Sequence, residues 1–154
     1  MATRALTGKG EHRRNTIKNT MELNRTWSFH YDTNFDKIST VRAGITKESL
    51  LLFKKFINID FDHLSHVLGT TKTTLHKKHA QETFSPSISE KFIALTDVYK
   101  FGYEVFEDEE NFNKWMLTSN KALGGRVPLD LMDTIFGIDE VKNVIGRIEH
   151  GVYS

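Results

Sequence analysis

Between Ser85 and Phe106 the chain carries one long helical stripe, and that stripe limits what the rest can be. Serine is a good N-cap, and proline in the first turn loses nothing by lacking an amide hydrogen, so Ser85-Pro86 predicts a helix start. From there Ile88, Phe92, Leu95, Val98 or Tyr99, and Phe106 recur at helical spacing. A stripe this long exposes more apolar surface than one neighbour hides, so other helices must cover it. The expectation is an all-α fold with this segment as its spine.

Three further starts are legible upstream. Thr46 is expected to cap a helix that buries Leu50, Phe53 and Ile57, with Phe56 alongside. Asp60 is expected to cap a short helix with Phe61, Leu64, Val67 and Leu68 inward, stopped by Gly69. Thr71 begins a third, expected over Lys72 to about His79, in which Leu75 is the apolar anchor and the other positions are polar or basic. Short helix, glycine turn, short helix is the layout of a helix-turn-helix, whose second helix is presented to the DNA major groove. Thr71, Lys72, Thr73, His76, Lys77 and Lys78 are therefore the candidate DNA-contacting residues. Downstream, Asp108 is expected to cap a helix with acids in its first turn and Phe112, Trp115 and Met116 inward. Gly124 and Gly125 predict a tight connection, Pro128 opens another helix, and Val141, Val144, Ile145 and Ile148 form a last stripe over 139–149, broken at Gly151.

Charge is unevenly spread, although the net charge of the 154 residues is only +1. Residues 1–25 hold six cations against two acids, and residues 46–80 six cations against three acids; residues 104–140 hold nine acids against three cations. Such asymmetry predicts two surfaces for two kinds of partner. The first 25 residues read as a solvated tail, with a basic arm on DNA phosphates as the alternative. Trp27, Phe29 and Tyr31 alternate with polar residues in the manner of a half-buried strand or extended arm and are the candidates for contact in a homo-oligomer. No apolar run approaches the roughly twenty residues of a membrane helix. The absence of cysteine excludes disulfides and thiolate metal sites and fits a cytoplasmic location. The expected division is a basic arm and candidate dimerisation segment over 1–45, a helix-turn-helix lobe over 46–106, and a second helical lobe over 107–154.

The words Asn120-Lys-Ala-Leu-Gly-Gly-Arg-Val-Pro-Leu-Asp-Leu131 and Gly146-Arg-Ile-Glu-His-Gly151 closely resemble the C-terminal toxin-binding domain of the Xre/MbcA/ParS antitoxins. Their pattern Asn-x-x-Leu-Gly-Gly-x-x-Pro-Leu-x-Leu, then Gly-Arg-Ile-x-His-Gly, is met position by position. Leu64, Leu68-Gly69 and Thr71-x-x-Thr74-Leu75 are similar to the Xre-type helix-turn-helix, so the resemblance runs from about residue 46 to the end. One departure stands out: the family usually has threonine before the proline, whereas Val127 cannot cap, leaving the orphan amides to Arg126 or water. The resemblance implies the antitoxin of a type II toxin-antitoxin pair that binds its own operator duplex DNA and, through the C-terminal lobe, an NAD-consuming RES-domain toxin. It implies toxin-binding residues Asn120, Gly124, Gly125, Arg126, Arg147, Glu149, His150, Gly151, Val152, Tyr153 and Ser154, with the tail approaching the toxin's active-site entrance. The antitoxin itself needs no cofactor on this reading.

Other constellations read more plainly. His63, His66, His76 and His79 form His-x-x-His twice, a spacing seen in metal sites, but in a helix-turn-helix these rings are expected to be solvated or to touch phosphate. There is no nucleophile elbow and no glycine-rich phosphate loop after a strand, so no enzyme is expected. Arg126 either grips an acidic partner or satisfies helix-end carbonyls. A stand-alone transcriptional regulator, using the C-terminal lobe only for dimerisation, is the alternative function.

Overall fold

The structure, a computed structural model, describes residues 31–151. In chain order these form α1 (Asn34–Ala43), α2 (Lys47–Ile57), α3 (Phe61–Leu68), α4 (Lys72–Lys77), α5 (Pro86–Phe106), α6 (Glu109–Met116) and α7 (Ile135–Glu149), with 3-10 helices at Lys121–Leu123 and Pro128–Asp133 between α6 and α7. The fold is all-α. Among the described residues the only β pairings are single bridges, Thr46 with Thr83 and Asn120 with Arg126. The basic arm of residues 1–25, Trp27 and Phe29 of the expected strand, and Val152, Tyr153 and Ser154 lie outside the described residues.

Cap chemistry places most of the boundaries. The hydroxyls of Thr46, Thr71 and Ser85 accept from the amides of Ser49, Thr74 and Ile88, and the carboxylates of Asp60 and Asp108 accept from those of His63 and Asn111. The His63 amide holds the Asp60 carboxyl below its usual range. Four features differ from expectation. Helix α1 was not foreseen: it buries no residue fully, and it is started by a capping box in which Thr33 and Asp36 satisfy each other's backbone amides. It docks on α5 through Lys37 Nζ, 2.6 Å from Asp97 Oδ2, while its Val41, and Tyr31 just before the helix, pack against the core. Helix α4 stops at Lys77 rather than near His79, because the Lys47 ammonium takes the carbonyls of His76 and Lys78, both at 2.7 Å. The segment opened by Pro128 winds as a 3-10 helix; Val127 offers no cap bond, and the Asp130 amide turns back to the Val127 carbonyl at 3.1 Å. Helix α7 begins at Ile135, four residues before the expected start, because the Thr134 hydroxyl accepts from the Gly137 amide.

The spine α5 is covered by α1, α3, α6 and α7. Around its C-terminal half the aromatic side chains interlock edge to face: Tyr99 and Phe112 have centroids 5.3 Å apart, Tyr103 and Phe112 5.4 Å, Phe106 and Phe112 5.1 Å, while Trp115 stacks on Phe112 at 5.7 Å. The core continues without a break from Leu50 and Leu75 to Val141 and Ile145. The Tyr103 hydroxyl donates to Asn113 at 2.8 Å, whereas the Tyr99 hydroxyl is buried with no partner among the described residues. Burial pushes the Tyr99 phenol well above its ordinary range. Leaving a buried donor unmade costs about 1–3 kcal/mol. Tyr99→Phe is therefore expected to leave thermal stability unchanged or raise it, while Tyr103→Phe lowers it by about 1 kcal/mol; a melting comparison of the two variants with the parent decides.

Candidate functional site

Two surfaces bear the residues singled out in the sequence. On the first, α3 and α4 cross at Gly69, whose φ of 63° closes α3 in the left-handed conformation. Leu75 is fully buried and anchors α4, leaving Lys72, Thr73, His76 and Lys77 exposed on one short helix, with Thr71 at its cap. Their surroundings differ. The Lys72 ammonium lies 2.6 Å from Asp62 Oδ1, and this partner raises its pKa. The His76 ring lies against Phe61, centroids 4.3 Å apart, and the Lys78 ammonium sits 5.5 Å above the Phe84 ring. The amino end of α2 braces this unit, its Lys47 and Glu48 amides taking the carbonyls of Glu82 and Ala80 at 3.0 and 2.9 Å.

Three of the histidine rings meet different groups: His63 bonds Asp60 at 2.8 Å, His66 reaches the Asp130 carbonyl at 3.3 Å and lies 3.9 Å from Asp133 Oδ2, and His76 lies on Phe61. Among the described residues no group of three His, Cys, Asp or Glu is placed to hold a metal ion.

The second surface is built from the Gly-Gly turn and α7. Asn120 caps the first 3-10 helix, its side-chain oxygen accepting from the Ala122 amide at 2.8 Å, while its backbone pairs with Arg126. Gly124 and Gly125 have φ of 66° and 79°, a conformation side chains resist. The Arg126 guanidinium reaches back to the Leu123 carbonyl at 3.3 Å, closing the turn it follows and not the helix start after Val127. Against this turn lies a groove of about 410 Å³, with Leu123, Leu131 and Phe136 as its apolar walls and Arg126 and Glu140 at its rim. Arg147, Glu149, His150 and Gly151 sit at the other end of α7. At about 1.5 Å rise per residue, Arg147 to His150 lie roughly 17–21 Å along the axis from Phe136. The structure thus divides the expected toxin-binding set between the two ends of one helix. Sequence reasoning missed Ile135 and Phe136, 68% and 80% exposed in the first turn of α7. Two adjacent large apolar residues just after a capping threonine were the available signal.

Residues 102–151 match the family described as the antitoxin Xre/MbcA/ParS C-terminal toxin-binding domain. The chain's last third carries the toxin-binding domain of the Xre/MbcA/ParS antitoxins. The chain is 27% identical over 119 residues to Antitoxin Xre of Yersinia enterocolitica serotype O:8 / biotype 1B, an alignment covering 76% of this chain and 80% of that one. It is 26% identical over 129 residues to the Prs ADP-ribosylating antitoxin of Sphingobium sp., covering 77% and 81%. With Antitoxin Xre of Photorhabdus laumondii it shares 32% identity over 72 residues, 46% and 49% of the two chains. These matches support the function of an antitoxin in a toxin-antitoxin system. The matched segment begins inside α5, at Gly102, and spans both ends of α7 and the groove beside Phe136. No helix among its described residues is long and apolar enough to cross a membrane.

Proposed function

We propose that this antitoxin neutralises an NAD-consuming RES-domain toxin by direct binding through its C-terminal lobe and represses its own operon by binding operator DNA through α4. It acts in the cytoplasm by association and not by catalysis. The observation that carries the reading is the toxin-binding domain matched over residues 102–151, held on the same core as a helix-turn-helix whose second helix exposes Lys72, Thr73, His76 and Lys77. A single helix-turn-helix makes few contacts, so two copies on half-sites about one helical turn apart complete the operator-binding form.

DNA recognition of this kind rests on phosphate charge and a few base contacts. Lys77→Ala is expected to lower the slope of log affinity against log salt by about one, and Lys72→Ala by less, because its ammonium is already paired with Asp62. Lys78→Ala should change it less, because its ammonium already lies over Phe84. Lys47→Met should weaken operator binding at an unchanged slope, since Lys47 holds the carboxyl end of α4 and is expected to touch no phosphate. Operator titrations at several salt concentrations check all four; a Lys72/Lys77 double variant that binds like the parent refutes the placement of α4 in the groove. Copurification with the product of the neighbouring RES-domain gene, and rescue of growth on coexpression, test the toxin half.

A further inference from the structure

We infer that the outer face of α7 is the docking surface for the toxin, with Phe136 as its apolar anchor and Gly146 as the point of closest backbone approach, and that the opposing surface presents an apolar side chain ringed by lysine or arginine. The inference rests on the reading of this chain as an antitoxin that binds its toxin directly. Three observations support it.

The first is a glycine without a reason inside the chain. After proline, glycine is the poorest helix former, so one in a helix interior needs an offsetting contact. Gly102 and Gly137 have theirs: a Cβ would meet the Phe112 ring at 2.1 Å and the Leu131 carbonyl oxygen at 1.8 Å, respectively. Gly146, in the interior of α7, has no positive φ, and a Cβ there would meet nothing within 4 Å. The room its missing side chain leaves is open to the outside. The second observation is the face itself. Phe136, Asp139, Asn143, Gly146 and His150 follow one another at spacings of three and four, so they share one side of the helix, opposite the buried Val141 and Ile145. That side joins the groove at the Gly-Gly turn to the tail, the two places between which the toxin-binding residues are divided. Its start is the most exposed apolar spot on α7, since Phe136 is 80% and Ile135 68% exposed beside the groove.

The third observation is charge, which selects the occupant. Within four residues of Phe136 in sequence stand Asp133, Asp139 and Glu140, whereas the one cation at the groove's rim, Arg126, is turned to the Leu123 carbonyl. A second copy of the chain seated on Phe136 would bring three acids against three acids with one arginine on each side to offset them, a costly juxtaposition. A toxin surface with cations around an apolar residue meets the same acids favourably and fills the groove between Leu123, Leu131 and Phe136.

The test uses the full-length antitoxin and the RES-domain toxin encoded beside it. Gly146→Ala is expected to melt at or above the parent temperature and yet bind toxin at least about tenfold more weakly, opposite signs that a merely structural glycine would not give. Phe136→Ser is expected to keep the parent's helix content and bind at least about thirtyfold more weakly, as loss of an interface anchor does. If both variants bind within twofold of the parent, the face is wrongly assigned. Should Phe136→Ser instead change the antitoxin's mass by light scattering while its toxin affinity holds, the face serves self-association and the inference is overturned. A parent chain that fails to bind the toxin at all overturns the functional reading itself, and this inference with it.

Discussion

Gly102→Ala and Gly137→Ala are each expected to lower the unfolding midpoint by roughly 10 °C or more, corresponding to a loss of about 3 kcal/mol or more. In an unhindered helix the same change would be favourable by up to about 1 kcal/mol, because alanine is the better helix former. Contact decides the sign. At Gly102 the new carbon falls on three atoms of the Phe112 ring, at 2.1, 2.1 and 2.5 Å. That ring has no free direction: Tyr99, Tyr103, Phe106 and Trp115 hold it on its other sides. At Gly137 the obstacle is the carbonyl oxygen of Leu131 at 1.8 Å, backbone that moves only if the 3-10 helix Pro128–Asp133 lifts from α7. Since that 3-10 helix also lies against α3, the strain reaches α3 as well. Gly146→Ala is the matched control within α7, expected to be neutral or stabilising, and thermal melts of the three variants beside the parent check the contrast. A Gly102→Ala or Gly137→Ala protein that melts with the parent would mean that the spine or the 3-10 contact is less tightly closed than described.

What was legible in the sequence and what was not divides along the range of the forces involved. The starts at Thr46, Asp60, Thr71, Ser85 and Asp108 depend on a side chain bonding an amide three residues away, so a few letters suffice, and the stripes of α2, α5 and α7 are equally local patterns. Helix α1 has no such stripe. It stays helical because Thr33 and Asp36 close its first turn and because Lys37 meets Asp97, sixty residues away in sequence. Thr33-x-x-Asp36 was the readable hint. Pro128 reads as a helix start in either winding; that the segment is 3-10 follows from the need to turn within six residues and hand over to Thr134, which starts α7. The need for glycine at 102 and 137 is invisible in one dimension, because the atoms that exclude a side chain come from Phe112 and Leu131 across the fold. For the candidate site, the Gly-Gly turn could be read from its letters, but the groove beside it could not. Leu123, Leu131 and Phe136 become neighbours only when the last three helical pieces fold back on one another.

Removing residues 150–154 is expected to cost toxin neutralisation far more than it costs the fold. Among the described residues the core ends with Ile145, and Ile148 packs against it; a chain stopped at Glu149 keeps both. It loses the His150 amide's bonds to the Gly146 and Ile148 carbonyls at the fraying end of α7, a last-turn cap worth about 1 kcal/mol or less. The melting temperature should therefore stay within a few degrees of the parent's, and operator binding, proposed for α4 on the other surface, should not change. Neutralisation should fall sharply. His150, Val152 and Tyr153 combine an imidazole, an aliphatic group and a phenol, chemistry that suits a cleft prepared for a dinucleotide's bases and phosphates, as expected of an NAD-consuming partner. Phe136 and His150 occupy opposite ends of one helix, so on the proposed reading the toxin would be engaged at two points whose contributions multiply while both are held in register. The truncated chain should retain the contact at Phe136. Its affinity is then expected to fall by less than its protection of cells does, because a toxin held only at the groove keeps an open active site. Dissociation constants and growth rescue measured on the same truncated protein separate the two effects. Full rescue by the truncated chain would place inhibition at the face of α7 and the groove alone. Loss of both binding and rescue with an unchanged melting temperature would make the tail the principal anchor and Phe136 the lesser one.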